Sequence, residues 1–130
     1  MIRDAEGKYL TIFHKQKKER PWRFGGGKVE PDEQPIAAAA RELWEELHIM
    51  VKSLMLIMTT GPEPIDGDSW FGFFYLAEPM HGGFAIMEPE KQGPIEFLTA
   101  EQLKERGSHP EYEVVRELER QEEIEAWQRL

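Results

Sequence analysis

Residues 27–49 read GKVEPDEQPIAAAARELWEELHI and contain the clearest helix of the chain. Pro35 suits the first turn of a helix, where its missing N–H costs nothing. The residues after it are rich in Ala, Leu, Glu and Arg, so we expect a helix over residues 35–47. At about 100° per residue, one narrow apolar stripe forms along this helix and should face the core. Its members are Ile36, Ala40, Leu43 and Leu47.

The same helix carries Glu42, Glu45 and Glu46 on the side away from that stripe. A solvated helix face is the ordinary interpretation of such a run. Arg41 can pair with Glu45, but Glu42 and Glu46 face each other, and a like-charge pair at this spacing destabilises a helix by about 0.2–0.5 kcal/mol. Glu33 and a glycine loop lie just before the helix. Because Mg²⁺ prefers clustered carboxylate oxygens, the pattern indicates a divalent-cation site.

Residues 27–49 resemble the Nudix box. The matching residues are Gly27, then Glu33 after five residues, then Arg41-Glu42-Leu43 after seven, then Glu45-Glu46 after one. Only the late glycine differs: His48 takes its place, and a left-handed residue is expected there. The flanks WRFGGGKVEPDE (22–33) and MEPEKQGPIEFLTAEQL (87–103) also resemble Nudix nucleotide pyrophosphohydrolases. The resemblance implies one Nudix hydrolase domain over residues 1–130.

The resemblance further implies hydrolysis of a nucleoside diphosphate linked to another group, with Mg²⁺ or Mn²⁺ as cofactor. The implied metal ligands are Glu42, Glu46, Glu45, the carbonyl of Gly26, and Glu90 with Glu88 as second choice. The implied catalytic residues are Glu45, Glu46, Arg41 and Glu33. A carboxylate accepts the proton of the attacking water, Arg41 orients the carboxylates, and Glu33 braces the loop.

Substrate contacts are less sharply defined by the sequence. Phosphate groups are expected at Lys28, Arg23 and the basic loop that begins with Lys15, although a basic loop is often merely solvated. Trp70 is a candidate for stacking on a nucleobase, together with Phe74 and Trp22, but aromatic residues at strand spacing more often fill a core.

The segment EPEK at 88–91 favours a (deoxy)nucleoside triphosphate, cleaved to a monophosphate and pyrophosphate. Pro64 resembles a marker of ADP-ribose hydrolases, and nucleotide sugars are a further alternative. No tyrosine lies near residues 66–67, which argues against a dinucleoside polyphosphate. A module that senses a nucleotide without cutting it is the alternative from another class, and it would be expected to lose box carboxylates.

Charge and composition limit the partners. The formal net charge of −9 argues against a nucleic-acid duplex or an anionic membrane surface. The chain has no cysteine, which excludes disulfides and thiolate zinc sites, and its histidines show no ligand spacing. With neither a signal-peptide pattern nor an apolar run of bilayer-spanning length, we expect a cytoplasmic protein whose partner is a small nucleotide.

The other elements predict an α+β fold, with a mixed sheet between helices in an α/β/α arrangement. Strands are expected at 8–14, 51–60, 70–77, 84–87 and 95–98. Capping boxes at Thr99–Gln102 and Ser108–Glu111 are expected to open a short helix and a final helix. Nudix proteins carry a further strand ahead of residues 3–10, so the first strand here is expected to be truncated. A homodimer is one way to complete such a sheet.

Overall fold

The computed structural model describes residues 1–18, 21–65, 67–80 and 83–130, and for residue 65 it describes the backbone alone. The elements in chain order are β1 (Tyr9–His14), β2 (Trp22–Arg23), α1 (Pro35–Leu47), β3 (Val51–Ile65), β4 (Asp68–Pro79), β5 (Gln92–Leu98), α2 (Ala100–Glu105) and α3 (Glu111–Gln128). The predicted α+β class is confirmed. Within these ranges, no helix is both long and apolar enough to cross a membrane.

Residues 1–3 join two antiparallel groups of strands, β2-β1-β5 and β3-β4. The Met1 ammonium donates a hydrogen bond to the Tyr75 carbonyl at 2.6 Å, and the Ala77 N–H donates to the Met1 carbonyl at 2.8 Å. In a parallel pair, one residue bonds through its N–H and its C=O to the two residues that flank its neighbour on the other strand. Arg3 pairs antiparallel with Tyr9 on the other side. The sheet is therefore mixed, and residues 1–3 form only a short pairing on each side.

Alternate residues of β1 face opposite layers of helices, as the period of a strand requires. Tyr9 packs in a buried cluster with Leu103 of α2 and Val114 of α3. Leu10 and Ile12 pack in a second cluster with residues of α1. The sheet thus lies between α1 on one face and α2 with α3 on the other, which is the predicted α/β/α arrangement.

Helix α1 begins at Pro35 and ends at Leu47, as predicted. His48 has φ 54° and ψ 34°, the left-handed conformation expected at the box position where glycine is usual. The predicted core stripe is wrong at Ile36, which is 48% exposed. The first turn of α1 borders a cavity, whereas Leu43 and Leu47 in the later turns pack against the sheet.

The hairpin of β3 and β4 is longer than the predicted strands at 51–60 and 70–77. Pro62 and Pro64 suggested a loop, but both lie within β3. Among the described strands β3 pairs only with β4, so it has a free edge, where proline is tolerated because its missing N–H faces away from the ladder.

Two other predictions are wrong. Residues 84–87 form no strand; the Ala85 and Met87 N–H groups donate instead to the carbonyls of Leu47 and Glu46 at the end of α1. Ser108 does not cap α3, which follows Pro110 and has no side-chain cap. The capping box at Thr99 and Gln102 is confirmed.

Candidate active site

Arg41 connects most of the box carboxylates to one guanidinium group. Its Nε and Nη2 donate to the two oxygens of Glu33 at 2.7 and 2.9 Å. Its Nη1 donates to Glu42 at 2.9 Å and to Glu45 at 3.0 Å. Nη2 also donates to the Lys28 carbonyl at 3.0 Å. A planar fork of five donors is suited to this task, since it can hold several carboxylates and a loop in fixed relative positions.

Glu33 is held in its charged form by these contacts. The hydrogen bonds from Arg41, with a further one from the Glu30 N–H, lower the pKa of Glu33 to about 2. The same contact with Glu33 raises the pKa of Arg41. The pair therefore stays ionised across the pH range of an ordinary enzyme, and it ties the start of α1 to the loop before it.

Glu46 is buried, with 3% of its surface exposed, although the helical wheel placed it on the face away from the core. Its Oε1 accepts a hydrogen bond from the Gly26 N–H at 2.7 Å. Its Oε2 accepts one from the side-chain amide of Gln92. Burial raises the pKa of Glu46 to about 7 in spite of these two donors, and the charges of Glu42 and Glu88 add to the rise. A cation nearby would favour the ionised form of this carboxylate at neutral pH.

Glu42 lies between Arg41 and the glycine loop. Burial is the main cause that raises the pKa of Glu42, and the charges of Glu45 and Glu88 raise it further. A Cβ added to Gly27 would lie 2.3 Å from the Glu42 carboxyl carbon. Because that distance is far inside van der Waals contact, only glycine leaves room for the carboxylate here.

The turn that carries Glu88 and Glu90 lies beside the end of α1. The Met87 N–H donates to the Glu46 carbonyl at 2.9 Å, which brings this turn to the end of the helix. The charge of Glu88 raises the pKa of both Glu42 and Glu46. Glu90 is exposed. These contacts do not test which of the two acids holds a metal ion, so the preference for Glu90 over Glu88 stays a prediction.

The carboxylates fit a divalent cation in chemistry but are not yet arranged around one. Across the described ranges, no group of three or more His, Asp or Glu side chains is placed to hold a metal ion. The reason is visible in the contacts, because Arg41 holds Glu42 and Glu45 while Gly26 and Gln92 hold Glu46. The donors are nevertheless hard oxygens in a partly buried setting, which is the ligand type that Mg²⁺ selects. The residues that could hold it are Glu42, Glu45, Glu46 and Glu88, with the backbone at Gly26.

A cavity of about 540 Å³ adjoins this cluster, between the glycine loop, the first turns of α1 and strand β4. Four of the predicted substrate contacts line it: Arg23, Lys28, Trp70 and Phe74. The Lys28 ammonium lies 5.2 Å from the centre of the Trp70 ring, a cation–π distance. Aromatic residues of β4 complete one wall; they are Phe71, Phe73 and Phe74.

Other predicted contacts lie elsewhere. The Lys15 ammonium donates to the Pro89 carbonyl at 2.8 Å and is not part of the cavity wall. Trp22 packs on Phe13 with ring centres 5.2 Å apart and under the Arg106 guanidinium. Phe74, although it lines the cavity, also packs against the core. Arg20, the last residue of the predicted basic loop, lies outside the described residues.

Gln92 is the site residue that sequence reasoning missed. A single glutamine at the start of a strand matches no motif. The local sequence pattern does not show that only 4% of its surface is exposed. It reaches Glu46 only because β5 pairs with β1, where its Cα partner is His14. Only the tertiary structure shows that Gln92 belongs to the site.

Comparisons with known proteins agree with this geometry. A family model described as NUDIX domain matches residues 1–118. The solved structure of a MutT NUDIX hydrolase from Burkholderia pseudomallei is 28% identical, with 76% of this chain and 78% of that chain covered and a TM-score of 0.66. Two structures with lower sequence identity share the fold. A MutT protein from Methanosarcina mazei Go1 is 18% identical, with 94% and 90% covered and a TM-score of 0.76. A C. elegans Ap4A hydrolase is 20% identical, with 91% and 90% covered and a TM-score of 0.73.

The family model spans nearly the whole chain, including the box whose arginine and glutamates meet beside the cavity. The protein belongs to the Nudix hydrolase family and is a pyrophosphohydrolase.

Proposed function

We propose that this enzyme is Mg²⁺-dependent and hydrolyses a (deoxy)nucleoside triphosphate to a monophosphate and pyrophosphate. One observation carries the proposal: the carboxylates of Glu46 and Glu42 lie against the glycine loop at Gly26 and Gly27, and the same loop lines a cavity together with basic and aromatic side chains. Acids of this kind suit divalent cations, and such a cavity suits a phosphorylated aromatic base. The two features together match a nucleotide in which a phosphoric anhydride is cleaved.

The metal site is proposed at Glu42, Glu45, Glu46 and Glu88, with the Gly26 carbonyl as a further donor. A bound divalent ion neutralises phosphate charge and lowers the pKa of water. Arg41 contacts one oxygen of Glu42 and one of Glu45, so the other oxygen of each carboxylate is left for a cation once the side chains turn toward it. Glu33 holds Arg41 in turn through two hydrogen bonds.

The remaining residues bind substrate and move a proton. Lys28 and Arg23 would bind phosphate oxygens, and Trp70 would stack on the base. Water attacks phosphorus, the bond to the pyrophosphate oxygen breaks, and the proton of the water goes to a box glutamate. Glu46 and Glu45 are the candidates for that base. The pKa of Glu46, about 7, is that of the metal-free protein, and a bound cation would lower it.

The choice of a nucleoside triphosphate is supported by the EPEK segment and by the 28% identity to a MutT hydrolase. ADP-ribose and nucleotide sugars are the alternative substrates, since each also joins a nucleoside diphosphate to another group. A non-catalytic sensing module is not favoured, because the chain retains every box carboxylate.

The test is release of phosphate or pyrophosphate from a panel of (deoxy)nucleoside triphosphates, ADP-ribose and nucleotide sugars, with Mg²⁺ or with a chelator. We expect pyrophosphate from at least one triphosphate, and a loss of about 100-fold or more in Glu46→Gln, since this removes a metal ligand. Glu123→Gln, an exposed change on α3, is the matched control. Full activity in Glu46→Gln would overturn the site, and binding without cleavage of any compound would indicate a sensing module.

A further inference from the structure

We propose that Gln92 is a positioning residue of this hydrolase, which fixes the Glu46 carboxylate in the orientation needed for catalysis. The inference rests on the proposed function, because it gives Glu46 a role in the reaction. Gln92 lies outside the box and 46 residues from Glu46 in the chain.

The first support is how Gln92 is buried. Its side chain is 4% exposed, and its Nε2 donates to Oε2 of Glu46. Its Oε1 has no hydrogen-bond partner among the described residues. Burying an amide whose hydrogen-bonding capacity is only partly used is costly, and an apolar side chain of similar length would avoid that cost. The contact with Glu46 therefore accounts for an amide at this position.

The second support is that both oxygens of Glu46 are held by the protein. Gly26 donates to one oxygen and Gln92 donates to the other. An ionised carboxylate has about four acceptor sites, so two remain, and their directions are fixed once both oxygens are anchored. Without Gln92 the carboxylate could rotate about its last side-chain bond, and its free acceptor sites would no longer point one way.

The third support is the place of Gln92 in the fold. Its own N–H donates to the Glu88 carbonyl at 2.9 Å, and its Cα pairs with that of His14 on β1. Gln92 thus connects the turn that carries Glu88 to the central strand and to Glu46 on α1. It sets the relative position of two of the carboxylates proposed to hold the metal.

The experiment is a double-mutant cycle on the full chain. Gln92→Met keeps the length of the side chain and removes the amide, and it is made in the wild type and in Glu46→Gln. We expect kcat with Mg²⁺ and the best triphosphate to fall about 10–100-fold in Gln92→Met, the usual effect of a group that orients a metal ligand, with KM changed much less. In the Glu46→Gln background the same change should lower kcat by less than about 3-fold, since residues that act as a unit are non-additive. Additive losses would overturn the proposal.

A binding measurement separates positioning from general damage. Titration calorimetry with Mn²⁺ alone should show affinity about 10-fold weaker in Gln92→Met and no further weakening when Glu46→Gln is already present. The control is Gln121→Met on α3, where the amide also donates to a glutamate, Glu117, at 2.9 Å. This control should leave kcat and Mn²⁺ affinity unchanged, and equal losses in it would contradict the proposal.

The outcomes separate the two hypotheses. If Glu46→Gln is fully active, the proposed function has failed. If Glu46→Gln is impaired but Gln92→Met matches the wild type, only the role of Gln92 has failed. Should Gln92→Met not fold, Gln92→Glu replaces it, because a second carboxylate of the same shape repels Glu46. We expect the same loss of kcat there, and full activity would overturn the inference.

Discussion

Arg41 lies among three glutamates that would repel one another without it. The sequence predicted its pairing with Glu45, because the two residues are four apart on a helix. The contacts with Glu33 and the Lys28 carbonyl depend on how the loop folds back onto α1. Only the helical part of this arrangement could therefore be inferred from spacing, and the loop contacts required the structure.

Replacing Arg41 by lysine tests the geometry of the site separately from its charge. Lysine keeps the positive charge, but one ammonium cannot reproduce the forked contacts with Glu33, Glu42 and Glu45. We expect kcat/KM with Mg²⁺ to fall about 10–100-fold in Arg41→Lys. Steady-state kinetics measure this, with circular dichroism to verify folding.

Arg120→Lys is the matched control, because Arg120 makes a similar two-pronged contact with Glu117 on the exposed side of α3. It should leave kcat/KM unchanged. Activity of Arg41→Lys within about twofold of the wild type would show that charge alone is sufficient.

The burial of Glu46 could not be predicted from the helical wheel. On the wheel Glu46 lies about 60° from Leu43, at the edge of the apolar stripe. That edge of α1 is covered by the glycine loop and by residues 85–92. These segments are distant in sequence and have no regular period. Tertiary contacts bury this residue, whereas the local pattern predicted that it faces solvent.

At the scale of elements, local signals predicted helices better than strands. Helix α1 has the predicted bounds because Pro35 and His48 act within one turn of its ends. Strand β3 extends to residue 65 through Pro62 and Pro64, since an edge strand does not need every N–H. The prediction that Ser108 caps α3 was wrong, because Pro110 is the N-cap residue of this helix.

The two predicted capping boxes differ in a way that unfolding experiments can measure. Thr99 accepts a hydrogen bond from the Gln102 N–H, whereas the Ser108 hydroxyl has no hydrogen-bond partner within the described residues. We expect Thr99→Ala to lower the free energy of unfolding by about 1 kcal/mol, the usual value of a lost cap. Ser108→Ala should leave it unchanged within about 0.5 kcal/mol or raise it slightly, since it removes a buried hydroxyl without a cap. Urea unfolding of both variants checks this, and equal losses would contradict the assignment.

At the scale of the whole molecule, the match to the Nudix box was sufficient to predict the fold, including the mixed sheet and the short pairing of residues 1–3. The joining of the strands through Met1 could not be foreseen from two residues of sequence. It depends on backbone hydrogen bonds to Tyr75 and Ala77, and every residue type except proline offers such groups.

Several pKa shifts determine the pH dependence of stability. Burial lowers the pKa of the Met1 amino group from 8.0 to about 5, which raises stability as pH increases over that range. Glu46 has a folded pKa of about 7 against 4.5, so the metal-free folded state binds a proton that the unfolded state releases. The contribution of Glu46 should therefore fall as pH rises from about 5 to about 7, by on the order of 2 kcal/mol. Glu33 and Glu117, each with a pKa lowered to about 2, act in the other direction. Their contribution is present above pH 4.5 and is lost as pH falls toward 2.

Urea unfolding from pH 3 to pH 8 in the presence of a chelator measures the change of stability in both pH ranges. Relative to the wild type, Glu46→Gln should gain stability as pH rises from 5 to 7, by on the order of 2 kcal/mol, because that variant has no proton to lose there. An unchanged slope in Glu46→Gln would mean that another group titrates in this range.

The close approach of Gly27 to the Glu42 carboxyl group has an evolutionary consequence. The space at position 27 is already filled by the end of a side chain from a position 15 residues later, so a larger residue at 27 requires the Glu42 carboxylate to move or to be shortened. Related sequences with a larger residue at 27 should carry a shorter one at 42. Such paired replacement would identify the relatives that have abandoned this arrangement of acids, even before their chemistry is known.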